Sequence, residues 1–193
     1  MAKADSGTSR RERNKTARWV VTIFITTIFV SGAISLLSDA IMENSSIAVA
    51  FLILLAIVLV GIVFDVIGVA VTSAHEKPFH SMAARKVPGA REAISLLRSA
   101  ERVSSICNDV VGDICGVISG SASAAIAARV MEHFSFSWPN LVTLVLSALV
   151  AASTVGGKAI GKAYAINSCT GIVHGVGRLI HAKNVFLGAF RKS

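Results

Sequence analysis

Four long stretches of apolar, almost uncharged residues divide the chain. Trp19 to Leu37 contains no charged residue, and a second stretch runs from Ile47 to Ala74 with one charge, Asp65. Residues 103–128 form a third stretch that is rich in small side chains, and Leu141 to Gly157 is again uncharged. A helix needs about 20 mainly apolar residues to cross the hydrocarbon core of a bilayer. The pattern therefore predicts membrane-spanning helices at 19–37, 47–74, 103–128 and 141–157.

The first stretch has a second possible interpretation, because a secretory signal peptide also carries an apolar segment after basic residues. The apolar core of a signal peptide is about 7–15 residues long and is followed by a small-residue cleavage site. Residues 19–37 are longer than that, and no such site follows them. We therefore expect a retained membrane anchor.

Two segments between and after the predicted spans have an amphipathic pattern. Within residues 78–102, Pro88-Gly89 predicts a break, and the stretch after it places alanine and leucine on one helix face and arginine and glutamate on the other. Residues 162–190 alternate apolar residues with His, Arg and Lys. They form either an interfacial helix or a broken extension of the fourth span. The predicted fold is thus an all-α polytopic membrane protein with juxtamembrane amphipathic helices.

The polar N-terminal segment differs from the rest of the chain. Residues 1–17 are basic and lack an apolar pattern, so we expect a disordered basic tail there. A single transmembrane domain then occupies residues 18–193. We see no sequence repeat and no linker to a second soluble domain in it.

Composition agrees with a membrane protein and excludes two other classes. Hydrophobic residues make up 53% of the chain and charged residues 16%, and the mean hydropathy is +0.68. Soluble domains have about 25% charged residues, and disordered chains have few hydrophobic ones. The net charge of +8 lies beside membrane-length segments. We therefore expect the lipid bilayer, and not a nucleic acid, to be the partner of the basic residues.

The positive charges also predict an orientation. Eighteen of the nineteen Lys and Arg residues lie in the N-terminal tail, between the second and third spans, or after the fourth span, and the exception is Arg129. The connectors at 38–46 and 132–140 contain none. Since cytoplasmic loops carry an excess of Lys and Arg, we expect both termini in the cytoplasm and the chain in the cell membrane.

Acidic side chains inside the predicted spans are the main candidates for function. Asp65 lies in the second span, and Asp109 and Asp113 lie four residues apart in the third, where Asn108 is close by. A carboxylate at the centre of a membrane helix costs about 2.5–3.5 kcal/mol on insertion scales. Each must therefore face protein or water and have a compensating partner.

Two kinds of compensating partner fit the sequence, and the sequence does not choose between them. The first is a hard divalent cation, which prefers oxygen ligands; its predicted metal ligands are the side chains of Asp65, Asn108, Asp109, Asp113 and Thr154. The second is an ammonium group from Lys158 or Lys162, at the end of the fourth span, acting as an ion-pair or gating residue.

Glycines at intervals of four predict close helix packing. The first set is Gly112, Gly116 and Gly120 in the third span, and the second is Gly157 and Gly161. Small residues at this spacing form a groove that lets another helix approach closely. The contacts would form within the chain or between copies.

The sequence does not predict an enzyme. It offers no nucleophile–base pair and no metal-ligand spacing of the catalytic kind. The three cysteines are too few for a disulfide framework and lie in apolar surroundings. We expect no catalytic residue and no cofactor.

The order of several short motifs resembles a known family. The segment FDVIGVAVTSA at 64–74, the basic helical loop, ICNDVV at 106–111 and GKAIGKA at 157–163 are similar to the transmembrane domain of the CorB/CorC (cyclin M-like, CNNM) magnesium and cobalt transport proteins. The resemblance covers roughly residues 46–170. It implies a divergent, stand-alone relative that forms a homodimer and handles Mg²⁺ or Co²⁺ as a transported ion.

The chain departs from that family at the residues that matter most. In the family, serines, an asparagine and an acidic residue help to hold a dehydrated magnesium ion. Here Asp65 to Gly68 replace an SGSE-like segment, and Lys158 replaces the glutamate of the GEIxPK motif. The resemblance therefore implies a cation site between helices. The alternative is a non-transporting membrane scaffold or interaction protein in which Lys158 neutralises the intramembrane aspartates.

Overall fold

The described chain is helical from end to end. The computed structural model describes residues 5–43, 45–133 and 139–190, and none of them lies in a β-strand. The elements are α1 (Asp5–Glu43), α2 (Ile47–Ser73), α3 (Glu76–Ala84), α4 (Ala90–Arg98), α5 (Ala100–Ser105), a π-helical segment (Ile106–Gly112), α6 (Asp113–His133), α7 (Pro139–Asn167) and α8 (Cys169–Phe190).

Four helical stretches are long and apolar enough to cross a membrane. They are Ala17–Leu37, Ile47–Ser73, Ala100–Glu132 and Asn140–Asn167. These stretches contain the four spans predicted from the sequence, except for the last residue of the second. The prediction of an all-α polytopic membrane protein is therefore confirmed.

Two boundaries differ from the expectations. Helix α1 begins at Asp5, so the described part of the basic tail is helical and not disordered; Arg, Glu, Lys and Ala in this segment have good helix propensity. Helix α7 continues past the predicted end of the fourth span to Asn167, and α8 begins two residues later. Residues 162–190 are thus divided between the end of α7 and the separate helix α8, and both interpretations of this segment stay predictions.

The chain divides into two compact units, residues 1–44 and residues 45–193. The first contains α1, whose apolar side chains, including Phe24, Phe29 and Leu36, are exposed. Such a surface is what lipid tails solvate, since a membrane helix gains nothing by hiding leucine or phenylalanine from them. All contacts described below lie within the second unit.

Helix α2 is the central element of the second unit, because α5, the π segment, α6, α7 and α8 all pack against it. Its N-terminus is capped by Ser46, whose hydroxyl accepts from Val49 N at 3.5 Å. Glycines mark its close contacts. Gly61 faces Cys115 and Gly68 faces Asn108, so α2 runs antiparallel to the π segment and α6. Ile62 faces Gly157 and Val66 faces Gly161, so α2 runs parallel to α7.

A hydrophobic cluster joins one end of α2 to the short helices. Ala70 and Val71 pack with Phe79 of α3, Leu97 of α4 and Val173 of α8, and all five are buried. We call this end, which carries α3, α4, α5 and α8, the basic end. Its exposed cations are Lys77, Arg85, Lys86, Arg91, Arg98, Arg102, Lys162, Arg178 and Lys183.

Two glycines let α4 and α8 approach closely at the basic end. Gly89 has φ +84°, and a Cβ atom there would lie 2.5 Å from the backbone nitrogen of Arg178. A Cβ atom at Gly177 would meet the carbonyl oxygen of Gly89. Only glycine fits either position without moving a backbone. The sequence break at Pro88-Gly89 therefore also positions α8.

Candidate functional site

The only acidic side chain that the described bundle buries is that of Asp65. It lies on α2 and is 3% exposed. The Lys162 ammonium of α7 lies 3.5 Å from its Oδ2 atom, while the lysine side chain is half exposed. The contact is an ion pair without a hydrogen bond, since Oδ2 has no hydrogen-bond donor among the described residues. The carboxylate is compensated in charge but not in hydrogen bonding.

A second lysine reaches the same place from one turn earlier on α7. A Cβ atom at Gly112 would lie 3.4 Å from Lys158 Nζ and 3.7 Å from Asp65 Oδ1. The ammonium and the carboxylate thus flank the glycine on the π segment. Lys158 is absent from the ion pairs formed by the described residues. A Cβ atom at 112 would be in ordinary van der Waals contact with both groups, so only a side chain larger than alanine would press against them.

Asn108 supplies a second buried oxygen at the same crossing. Its Nδ2 donates to Ser104 Oγ at 3.2 Å. Its Oδ1 packs against Gly68, one turn from Asp65 on α2, and is buried without a hydrogen-bond partner in the described chain. A buried acceptor without a partner costs about 1–3 kcal/mol. Two buried oxygens without hydrogen-bond donors at one crossing could hold a bound ion or water.

The π-helical segment explains how Asn108 comes to face α2. Residues Ile106–Gly112 form seven residues of π-helix between α5 and α6. Such bulges are rare and occur frequently at functional sites, because the wider turn shifts which side chains face a neighbouring helix. Hydrophobic periodicity does not reveal this segment, and our sequence analysis missed it.

Asp109 and Asp113 lie elsewhere. Both side chains are exposed, and Asp109 Oδ2 accepts a hydrogen bond from Ser105 Oγ at 2.8 Å on its own helix. Neither pairs with a lysine in the described part of the chain. Within that part, no group of three or more His, Cys, Asp or Glu side chains is placed to hold a metal ion. The five predicted ligands therefore do not form one cluster.

Thr154 lies one turn before Lys158 on α7. Its hydroxyl donates to Val150 O at 2.8 Å, and its side chain lines a cleft between α6 and α7. Of the predicted packing glycines, Gly112, Gly157 and Gly161 have side chains from other helices beside them. A Cβ atom at Gly116 or Gly120 would have nothing within 4 Å.

Two histidines at the basic end connect α8 to the start of α4. His181 Nδ1 lies 2.8 Å from Glu92 Oε1, and His174 Nε2 lies 3.2 Å from Pro88 O. The hydrogen bond with His181 lowers the pKa of Glu92 below its ordinary value of 4.5. This contact is not evident in the sequence, because Glu92 and His181 are 89 positions apart in the chain.

These observations define the class of the protein as a polytopic all-α membrane protein, in whose described part Asp65 is a buried, charge-compensated carboxylate. Comparison with protein-family models, curated proteins and solved structures found no match. The assignment of a function therefore depends on the geometry of the site.

Proposed function

We propose that the chain is a divalent-cation transport protein that binds a hard cation, Mg²⁺ or Co²⁺, where α2 crosses the π segment. One observation carries the proposal: Asp65 Oδ2 and Asn108 Oδ1 are both buried and both lack a hydrogen-bond donor among the described residues. Carboxylate and amide oxygens are the ligands that such cations prefer. The resemblance to the CorB/CorC transmembrane domain supports the same class.

The proposed ligand set is smaller than the predicted one. Asp65 and Asn108 supply the protein oxygens, and water supplies the rest, since Mg²⁺ usually keeps several waters and uses one or two carboxylates. Thr154 lies outside this set, in the cleft between α6 and α7. Asp109 and Asp113 lie outside the set, because their side chains are exposed on another face.

The ion pair between Lys162 and Asp65 indicates how the site would work. An ammonium 3.5 Å from Asp65 competes with a cation for the same carboxylate. The cation binds as Lys162 moves away, which its half-exposed side chain permits. We propose that Lys162 occupies the site between transport events, with the basic end facing the cytoplasm, as the distribution of Lys and Arg predicts.

The same contact between Lys162 and Asp65 supports a second candidate function. If the Lys162–Asp65 pair is permanent, the carboxylate is a structural element, and the protein is a non-transporting membrane scaffold. The sequence assigned this neutralising role to Lys158, whereas the ion pair involves Lys162. Both functions fit the fold, and they differ in whether a cation stabilises the protein.

Thermal unfolding of the purified protein distinguishes them. A ligand that binds only the folded state stabilises it by about 2.7 kcal/mol at 100 times its Kd. We expect Mg²⁺ or Co²⁺ to raise Tm, and we expect Asp65→Asn and Asn108→Ala to abolish the shift. Asp113→Asn is the matched control and should keep it. Flux into liposomes, followed with a fluorescent indicator, should show the same dependence. A scaffold would show neither shift nor flux.

A further inference from the structure

A buried serine hydroxyl without a partner lies in a part of the bundle that the proposed site does not use. Ser123 of α6 is 3% exposed, and its Oγ has no hydrogen-bond partner among the described residues. The side chain lines a cleft of about 180 Å³ between α6 and α7. A hydroxyl kept from water without a hydrogen bond is unfavourable by about 1–3 kcal/mol on the evidence of protein mutations. The cleft must therefore supply a partner.

The other polar groups of this cleft are also hydroxyls. Ser119 and Ser123 face it from α6, and Ser147 and Thr154 face it from α7. Ser119 and Thr154 donate to carbonyl oxygens of their own helices, at 2.9 and 2.8 Å. Their oxygens keep lone pairs that can accept from a molecule in the cleft. We call this feature the hydroxyl cleft.

The cleft is open because two of the residues on its α6 wall are glycines. A Cβ atom at Gly116 or at Gly120 would have nothing within 4 Å, and both glycines line the cleft. A water molecule takes about 30 Å³ in the liquid, so several fit. A polar site with room and several hydroxyl partners is one that water occupies, whereas dry cavities are apolar.

One end of the hydroxyl cleft lies one helical turn from the residues around Asp65. Gly116 is one turn from Gly112, and Thr154 is one turn from Lys158. Gly112 is the residue that Lys158 Nζ and Asp65 Oδ1 flank. One turn of helix is about 5.4 Å. The mouth, at Ser123 and Ser147, lies toward the end where Arg129 donates to Ser45 O at 3.2 Å, opposite the basic end.

We propose that the hydroxyl cleft is a water-filled path through half the membrane, by which a hydrated cation reaches Asp65 from the side opposite the basic end. The inference that the cleft holds water is based on its serine and threonine hydroxyls and on the open space beside Gly116 and Gly120. The role of the cleft for a cation rests on the proposed function. Ser119, Ser123, Ser147 and Thr154 are thereby assigned as path-lining residues.

Cysteine accessibility tests the path in the full-length protein reconstituted in liposomes. A thiol reacts as its thiolate, which forms in water and not in lipid. We would place single cysteines with Ser119→Cys, Ser123→Cys and Thr154→Cys and treat them with a charged, membrane-impermeant methanethiosulfonate reagent from either side. Adducts are counted by intact mass against the parent protein, which carries its own three cysteines.

Ser121→Cys is the matched control, because Ser121 lies between the two cleft serines on α6 but is exposed on another face. We expect Ser119→Cys and Ser123→Cys to react at least about tenfold faster than Ser121→Cys, and only from the side opposite the basic end. The second variant Gly116→Leu fills open space and should slow Thr154→Cys while leaving Ser123→Cys unchanged.

Equal rates at positions 119, 121 and 123, or no reaction at positions 119 and 123, would overturn the path. The serine-to-cysteine changes are nearly isosteric, and Tm confirms that each variant is folded. A reactive cleft together with a wild-type protein whose Tm ignores Mg²⁺ and Co²⁺ supports the hydrated path and counts against the cation function. A Tm that responds to the cations while positions 119 and 123 stay unreactive supports the function and overturns the path.

Discussion

Asp65 and the pair Asp109 and Asp113 had the same status in the sequence, yet the fold treats them differently. Asp65 is 3% exposed and has a lysine within 3.5 Å. Asp109 and Asp113 are exposed, and Asp109 accepts a hydrogen bond only from a serine one turn away on its own helix. The difference teaches that membrane depth predicted from the sequence does not by itself identify a buried acid: Asp65 has its compensator at a crossing where Gly161 of α7 lies against α2.

The largest difference should appear when the compensator of Asp65 is removed. Lys162→Met leaves a buried carboxylate without its ion-pair partner, which we expect to lower the free energy of unfolding by about 2 kcal/mol, between values for intramembrane polar contacts and for buried pairs in soluble proteins. Lys183→Met, an exposed lysine on α8, is the control. Chemical unfolding in detergent measures both.

The double variant Asp65→Asn/Lys162→Met makes this prediction specific. If the pair carries the effect, the loss in the double variant should be smaller than the sum of the two single losses, because each single change leaves one charge without its partner. Additive losses, or a Lys162→Met protein as stable as Lys183→Met, would contradict the assignment of Lys162.

How much of this could be predicted from the sequence depends on whether the feature is local. The four spans follow from uninterrupted apolar runs, and Asp65 stands out as the one charge in its run. Whether Lys162 or Lys158 pairs with Asp65 depends on how α7 is rotated against α2. That rotation follows from the packing of Ile62 against Gly157 and of Val66 against Gly161. Sequence spacing within one helix cannot specify a rotation between two.

The π segment is the other feature that the sequence did not reveal. The seven residues Ile106–Gly112 have the wider turn of a π-helix, and this changes the helix faces on which Asn108 and Asp109 lie. On an ordinary α-helix, side chains four apart lie on one face, so the sequence predicts a shared face for Asp109 and Asp113 but does not show which neighbouring helix Asn108 faces. In the structure Asn108 Oδ1 faces Gly68, and the two aspartates are exposed.

The next largest change in stability should come from substituting a glycine beside Asp65. Gly112→Val would push against Lys158 Nζ and Asp65 Oδ1, and overpacking of this kind costs about 1–3 kcal/mol. Gly116→Val, one turn away, enters open space and should change stability by less than about 0.5 kcal/mol. Unfolding of the two variants in parallel gives the difference. Equal losses would mean that the Gly112 contacts do not decide the packing.

Asp109 and Asp113 should respond weakly to neutralisation. Asp109→Asn keeps a side-chain oxygen that can accept from Ser105 Oγ, and Asp113→Asn alters an exposed side chain. We expect each to change the free energy of unfolding by less than about 0.5 kcal/mol, as for most surface substitutions. Asp65→Asn measured beside them is the reference. A loss at position 113 equal to that at 65 would mean that Asp113 is also compensated.

The smallest effect should come from Glu92, a carboxylate outside the spans whose side chain is about one fifth exposed. Its hydrogen bond with His181, at 2.8 Å, keeps the pKa of Glu92 lower in the folded protein than its ordinary value of 4.5. A lowered folded-state pKa stabilises the protein above the unfolded value, and the contribution disappears as pH falls from 4.5 through the folded pKa. Glu92→Gln should therefore lower Tm slightly at about pH 6, and the loss should be smaller at about pH 3. Glu101→Gln, an exposed neighbour at the same end, is the control, and an equal Tm loss for Glu92→Gln at both pH values would contradict the pairing. If Glu92→Gln lowers Tm in this way, Glu92 is the intermediate case between Asp65 and the exposed aspartates. It has a partner from a distant helix, as Asp65 does, but water around the side chain makes the contribution of that partner to stability small.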